Sequence, residues 1–175
     1  MTYSNQEKNN KTDKNFKQNF PGKVIFFKQF VPTRQMYFDS FPLVLGIRII
    51  GNKIFGCNLK LIPVRERIRI VNEMMKQENK TAKDSRIALN KLIRGKNGKW
   101  LAASFEVYQL RHIKGKIITV EENEWLDLST SYNSLKNIKR NVLNNIVKAR
   151  MLNIQQPMKY MRTVITNSIK RKPKK

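Results

Sequence analysis

Apolar residues in the first third of the chain cluster in short runs that favour β-strands. The runs are KVIFFKQF (23–30), FPLVLGIRII (41–50) and KIFGCNLKLI (53–62), all rich in β-branched or aromatic residues. Gly51 and Asn52 supply a turn between the second and third runs. We therefore expect a small antiparallel sheet or a partly open barrel.

The spacing of apolar residues changes to a helical period after Pro63, which suits the first turn of a helix. Ile68, Val71 and Met75 recur at helical intervals and predict a helix through about Gln77. A second helix is predicted from a cap at Thr81 or Asp84 to Gly95, with an apolar side of Ile87, Ala88 and Leu92.

Two later segments complete the predicted core. The segment WLAASFEVYQL (100–110) fits both a helical and an alternating pattern, so its structure stays open. KIITV (116–120) follows Gly115 and predicts a short strand.

The C-terminal part of the chain predicts two amphipathic helices. Leu135, Ile138, Val142 and Ile146 form the apolar stripe of the first, opposite Lys136, Arg140, Asn144 and Lys148. Pro157 starts the second, with Met158, Met161, Ile165 and Ile169 on one side and Lys159, Arg162, Thr166 and Lys170 on the other.

These patterns predict an α+β fold in three segments. Residues 1–19 are rich in Asn and Lys and predict a disordered or extended arm. Residues 20–130 form the core domain, and residues 131–175 form a basic helical extension. We expect the sheet or partly open barrel to come first, followed by helices and then the extension.

Charge sharpens the boundary near residue 130. The 175 residues include 36 Lys and Arg against 12 Asp and Glu, a formal charge of +24. All acidic residues lie at or before Asp127, whereas residues 128–175 carry 12 Lys and Arg with no acid. Such a segment favours a polyanionic partner.

Candidate catalytic chemistry is sparse. The sequence holds one Cys and one His, which excludes a disulfide within the chain and a multi-histidine metal site. Cys57 fits a buried small apolar residue better than a nucleophile, and His112 fits a surface or packing residue. Glu121, Glu122, Glu124 and Asp127 fit a helix start better than a metal site. We expect no enzyme activity, no metal and no cofactor.

The composition also argues against membrane partners. No apolar run approaches ~20 residues, and the N-terminus lacks the apolar segment of a secretory signal. The predicted C-terminal helices lack the Trp and Phe typical of membrane-surface helices.

Nucleic acid is therefore the favoured partner, bound through phosphates rather than base edges. The candidate contact residues are the cations of the basic block: Lys136, Lys139, Arg140, Lys148, Arg150, Arg162, Lys170 and Arg171. A secondary basic site is predicted at Arg65, Arg67 and Arg69, where the first long helix begins.

Aromatic residues in the sheet region raise a further alternative, because RNA-binding sheets expose aromatic rings. Phe26, Phe27, Phe30, Tyr37, Phe38 and Phe41 all lie there, and a packed core accounts for most of them. A ribosome-like RNA-binding protein is the third hypothesis.

The core segments resemble a family of small virion-associated proteins of T-even-like tailed bacteriophages, often named DNA end protectors. The resemblance covers about 70 residues, in FPGKVIFFKQF, MYFDSFPLVLGI, GNKIFGCNLKLIPVRERIRIVNEM and KGKIITVEENEWLDL. Its specific positions are Asp39, Phe41, Pro42, Leu43, Gly56, Asn58, Leu59 and Pro63. Lys60 and Leu61 depart from the aromatic residue of the family pattern, which also lacks the long basic extension.

These positions have structural explanations as well. Asp39 suits a turn cap before Pro42, with Phe41, Leu43 and Leu45 packing inward. Gly56 suits a bulge or a close backbone approach.

The resemblance implies a protein of the virion, present in the host cytoplasm during assembly and compatible with an oligomer. Its implied partners are DNA and other phage structural proteins. Two functions remain open: association with packaged DNA or its ends, and a neck, tail or baseplate component whose basic extension binds acidic neighbours.

Overall fold

A computed structural model describes residues 14–30, 39–76, 81–131 and 148–170, without the side chains of residues 14, 15, 129, 131 and 167–170. A five-stranded antiparallel sheet is combined with helices, which confirms the predicted α+β class. The strands are β1 (Val24–Gln29), β2 (Leu43–Ile50), β3 (Lys53–Asn58), β4 (Phe105–Gln109) and β5 (Ile113–Thr119). The helices with stated bounds are α1 (Lys14–Asn19), α2 (Val64–Met75), α3 (Ala82–Arg94), α4 (Gly98–Ala103), α5 (Trp125–Ser131) and α6 (Gln155–Lys170), and residues 148–152 are also helical.

The sheet is strongly curled without closing into a barrel. Its strand order is β4-β3-β2-β1-β5, yet the two edge strands are joined by only a 3₁₀ turn, Leu110–His112. The rings of Phe27 on β1 and Tyr108 on β4 lie 5.1 Å apart, edge to face. Three strand spacings in a flat sheet would separate them by about 14 Å. The concave face is therefore a small core of its own.

Helices α2 to α6 pack on the other face of the sheet. Residues from β1, β2 and β3 meet α2, α3, α4, α5 and α6 in one hydrophobic cluster. The concave face holds a second cluster of eight buried residues: Phe20, Ile25, Phe27, Val44, Ile54, Tyr108, Ile113 and Ile117.

The predicted hairpin between β2 and β3 is confirmed. Gly51 adopts a left-handed φ of +54° in the turn, where Ile50 is the register partner of Lys53. Gly56 lies where the two strands approach closely, because a Cβ there would come within 2.9 Å of the Leu45 carbonyl oxygen. The predicted close approach at Gly56 is therefore also confirmed.

Asp39 organises a buried polar network beneath the start of β2. One carboxylate oxygen accepts from Phe41 N (3.0 Å) and Lys60 Nζ (3.4 Å), and the other accepts from Asn58 Nδ2 (3.1 Å). Gln29 Nε2 donates to the Asp39 carbonyl at 2.8 Å. The turn-capping role of Asp39 is confirmed, and the network ties the chain before β2 to β1 and to the end of β3.

The inward packing predicted at the same motif holds for Leu43 and Leu45, which are buried. It is wrong for Phe41, which remains 42% exposed. Phe41 precedes the first residue of β2, and its ring stacks on that of Phe26 with 6.0 Å between the ring centroids.

Helices α2 and α3 match the sequence expectations at their starts. Pro63 caps α2 with an extended backbone, and the Thr81 hydroxyl accepts from Asp84 N (3.2 Å) at the start of α3. Gly95 ends α3 as predicted. The buried side of α2 is rotated slightly from the predicted stripe, because Ile70, Val71 and Met74 are buried.

The ambiguous segment 100–110 contains both kinds of structure. Helix α4 ends at Ala103 and β4 begins at Phe105, with buried Ser104 at the junction. Ser104 Oγ donates to the Leu101 carbonyl, while its own carbonyl accepts from Asn58 N. Glu122 and Glu124 lie in the 3₁₀ turn just before α5, and Asp127 lies in the first turn of α5. The acidic group is therefore at the start of a helix, as expected.

The described parts of the two terminal segments pack on the core, although the sequence predicted an arm and an extension outside the core domain. Residues 14–19, within the predicted arm, form α1, and Phe16 packs edge to face on Phe20. At the other end, α6 contributes Met161, Val164 and Ile165 to the main hydrophobic cluster. The change in charge near residue 130 is therefore not a boundary of the hydrophobic core.

Candidate nucleic-acid interface

Helix α6 holds its cations in solvent by burying its opposite side. Met161 is fully buried and Val164 and Ile165 nearly so, whereas Lys159 and Arg162 are exposed. Pro157 lies in the first turn, where its missing N–H costs no helical hydrogen bond. The stripe predicted from Met161 and Ile165 is confirmed at these two positions, and so is the outward side at Lys159 and Arg162.

An open groove of about 470 Å³ runs along the outer side of α6, and we call it the α6 groove. Among its described lining residues, Lys159 and Arg162 are charged, and Gln155, Thr163 and Thr166 are neutral polar groups. These are side-chain types that contact phosphates in protein–DNA complexes. No acidic residue occurs between positions 148 and 170.

Arg150 has a different position from the other candidate residues. Its guanidinium lies 3.0 Å from Glu106 Oε1 and donates to the Ala103 carbonyl at 3.3 Å. Glu106 also accepts from the Tyr108 hydroxyl at 2.6 Å. Arg150 therefore attaches the C-terminal segment to β4, whereas Lys148 is exposed.

The structure leaves several candidate residues outside the described part of the chain. These are Lys136, Lys139, Arg140 and Arg171, together with the side chain of Lys170. The predicted helical stripe of Leu135, Ile138, Val142 and Ile146 also lies outside it.

The secondary basic site is corrected at one position. Arg65 and Arg69 are exposed, and Arg69 pairs with Glu66 at 3.1 Å, one turn away. Arg67 is only 1% exposed and donates to the Ile62 carbonyl at 3.0 Å. Burial lowers the pKa of Arg67 to about 10. Arg67 is therefore a core residue and does not belong to a surface site.

Arg69 lies instead in a groove between α2 and α3, an opening of about 750 Å³ that we call the α2–α3 groove. The other cations among its described lining residues are Lys76, Lys91 and Lys96. Glu73 is the acidic residue among the described lining, and a hydrogen bond from Lys76 lowers the pKa of its carboxyl. The sequence reasoning missed these three lysines, although the spacing of Arg69 and Lys76 on one helix indicates a shared face.

Cys57 and His112 are the two candidate catalytic residues of the sequence. Cys57 is buried, and desolvation raises the pKa of its thiol to about 12, which suits the predicted packing role. The His112 carbonyl accepts from Phe30 N, which extends the pairing of β1 with β5. Within the described ranges, no group of three or more His, Cys, Asp or Glu side chains is arranged to hold a metal ion.

Comparisons with known proteins identify no relative, since no family model, curated protein or solved structure matches this chain. Among the described helices, none combines the length and apolar character needed to span a bilayer.

Proposed function

We propose that this protein is a non-enzymatic, virion-associated protein of a tailed bacteriophage that binds DNA backbone phosphates, in association with packaged DNA or its ends. The phage assignment rests on the resemblance of the core segments. The binding role rests on one observation: α6 is anchored in the core while its acid-free outer side presents Lys159 and Arg162.

The positions that carry the resemblance have structural roles in this fold. Asp39 and Asn58 meet in the buried network, and Gly56 lies at the close approach of β2 and β3. These residues specify the fold, so the DNA-binding role has to come from the cationic surface instead.

Anchoring favours DNA binding because an ordered cation contacts a phosphate at a lower entropic cost than one on a flexible tail. Lys159 and Arg162 are one helical turn apart, so both face the same groove. Neutral donors at Gln155 and Thr166 flank them. The resulting contacts are to the backbone and are independent of base sequence.

The direct test is binding of labelled duplex DNA to a Lys159→Glu, Arg162→Glu double variant. We expect roughly tenfold or greater loss of affinity, because two attractive contacts become repulsive. A control variant, Lys53→Glu with Arg111→Glu, makes the same change in net charge at exposed positions on other elements.

Equal losses in the two variants would mean that net charge alone governs binding, which would contradict a site on α6. Polyglutamate separates DNA from acidic protein partners. Tighter binding to polyglutamate than to duplex DNA would favour the neck, tail or baseplate role.

A further inference from the structure

A second exposed surface combines aromatic rings with lysines at the β1–β5 edge of the sheet. Phe30 is 58% exposed, Phe41 is 42% exposed and Ile118 is 41% exposed. These are three of the nine large apolar side chains exposed in the described part of the chain. We call this surface the aromatic platform; it comprises Phe26, Lys28, Phe30, Phe41, Lys114, Lys116 and Ile118.

Strand register places the platform residues on one face. Phe26 is the register partner of Ile118, and Lys28 is the partner of Lys114. Partners across an antiparallel pair project to the same side. Phe30 continues this side of β1, and its N–H donates to the His112 carbonyl at 2.8 Å. The opposite side of the same strands holds buried Ile25, Phe27 and Ile113.

Phe26, Phe41 and Lys28 of the platform contact one another. Phe26 and Phe41 stack with only 15° between their planes. The Lys28 ammonium lies 5.8 Å from the centroid of the Phe41 ring. Because the ammonium lies over the face of an exposed ring, an aromatic group and a cation are adjacent, as the base and the phosphate of a nucleotide are.

Charge decides between nucleic acid and an ordinary apolar partner. The sequences of β1 and β5 carry Lys28, Lys114 and Lys116 and no acidic residue. Exposed rings in a cationic setting are the features of surfaces that bind single strands, because every base has a face that stacks. A duplex, whose bases are already stacked, would leave the rings unused.

We propose that the aromatic platform binds single-stranded nucleic acid, stacking bases on Phe30 and Phe41 and contacting phosphates through Lys28 and Lys114. The platform is separate from the α6 groove and does not depend on the function proposed for it.

The test compares three probes by fluorescence anisotropy: a short oligothymidylate, an abasic strand of the same length and a duplex. The wild-type protein should bind oligothymidylate more tightly than the abasic strand. In a Phe30→Ala, Phe41→Ala variant this preference should fall by roughly fivefold to a hundredfold for each ring that stacks a base. Binding of the abasic strand and the duplex should stay unchanged.

Further variants separate stacking from folding and from charge. Phe30→Trp and Phe41→Trp keep a flat ring and should keep the preference for bases. The logarithm of the binding constant for oligothymidylate should fall with the logarithm of the salt concentration. In the Lys28→Gln, Lys114→Gln variant the slope of this fall should be shallower by about 0.7 for each lysine that contacts a phosphate. Both aromatic positions are substantially exposed, so unfolding measurements should show the alanine variant folded.

Failure of this proposal is distinguishable from failure of the α6 site. Equal wild-type affinity for oligothymidylate and the abasic strand would overturn the platform, whatever Lys159→Glu with Arg162→Glu does to duplex binding. Equal loss for all three probes in the alanine variant would overturn it as well. Binding of an acidic peptide that requires Phe30 and Phe41, without preference for bases, would assign the platform to a protein instead.

Discussion

At the residue scale, Asp39 and Lys60 form a buried ion pair beside the start of β2. Both side chains are buried, with 3.4 Å between Lys60 Nζ and the carboxylate. Lys60 Nζ also donates to the Phe41 carbonyl. Burial lowers the pKa of Lys60, and the Asp39 charge opposes this shift. The pair therefore contributes mainly by leaving no isolated buried charge.

Removing one partner of the pair should lower the free energy of unfolding strongly. Removing both partners should lower it by less than the sum of the two single effects. We expect Asp39→Ala to lower the free energy of unfolding by about 3–5 kcal/mol, because the ammonium stays buried without its counter-ion. Adding Lys60→Met should recover part of that loss. Urea unfolding of the two single variants and the double variant measures the coupling.

The matched control is Arg69→Ala, which breaks the exposed pair with Glu66. Its expected cost is below about 1 kcal/mol, because solvent screens an exposed pair. If the changes in unfolding free energy caused by the Asp39 and Lys60 substitutions were strictly additive, the two side chains would not be coupled and the prediction would be wrong.

Cys57 provides a second residue-scale prediction, in alkaline solution. Because burial raises the pKa of its thiol to about 12, the unfolded chain releases a proton that the folded chain retains. Stability should therefore fall as pH rises above about 9, by up to about 1.4 kcal/mol per pH unit from this group.

Cys57→Ala removes this contribution, so its unfolding free energy should decline less steeply than that of the wild type between about pH 9 and 11. Other titrating groups are shared and cancel in the comparison. Parallel pH profiles for the two proteins would rule out the buried thiol as the cause.

The prediction that Arg67 belongs to a surface site was wrong, although the helical spacing of the residues already indicates its buried position. Arg65, Arg67 and Arg69 alternate in sequence, but on a helix the middle residue points roughly 200° away from either neighbour. Arg65 and Arg69 share a side, and Arg67 faces the core. The helical period therefore contains the correct answer, whereas a count of nearby cations does not.

At the element scale, α6 is both a basic helix and a part of the core. Its apolar residues were predictable from period, and its place against α3, α4 and β2 was not, since packing partners depend on the assembled sheet. The Arg48 guanidinium donates to the Val164 carbonyl and links β2 to this helix. The junction at Ser104 was similarly hidden, because one short segment contains both a helix end and a strand start.

If α6 belongs to the core, shortening its buried side chains should destabilise the whole protein. We expect Met161→Ala to reduce the free energy of unfolding by about 2–5 kcal/mol, because Met161 is fully buried. Leu152→Ala is the control, at a position 86% exposed, and should change it by less than about 0.5 kcal/mol.

Thermal or urea unfolding followed by circular dichroism measures both variants. An unchanged midpoint for Met161→Ala, or a separate early transition, would show that α6 is an appendage rather than a core helix.

At the scale of the whole molecule, the fold separates structural polar groups from the cationic surface. Asp39, Lys60 and Arg67 lie inside, whereas Lys148, Lys159 and Arg162 are exposed at the end of the chain. The excess of positive charge was predictable from composition, and so was the acid-free block of 12 Lys and Arg after Asp127, which carries half of the net charge. The α2–α3 groove required the folded structure, because residues of two different helices line the same opening.

The most direct measurement of the central claim is the salt dependence of duplex DNA binding by the wild type and by Lys159→Glu with Arg162→Glu. If Lys148, Lys159 and Arg162 each neutralise a phosphate, the logarithm of the binding constant should fall as the logarithm of the salt concentration rises. The slope should be about −2.7 or steeper. The double variant should have a slope shallower by about 1.8 and a weaker affinity. Binding that ignores salt, or an identical slope in the two proteins, would contradict the proposal that α6 binds DNA phosphates.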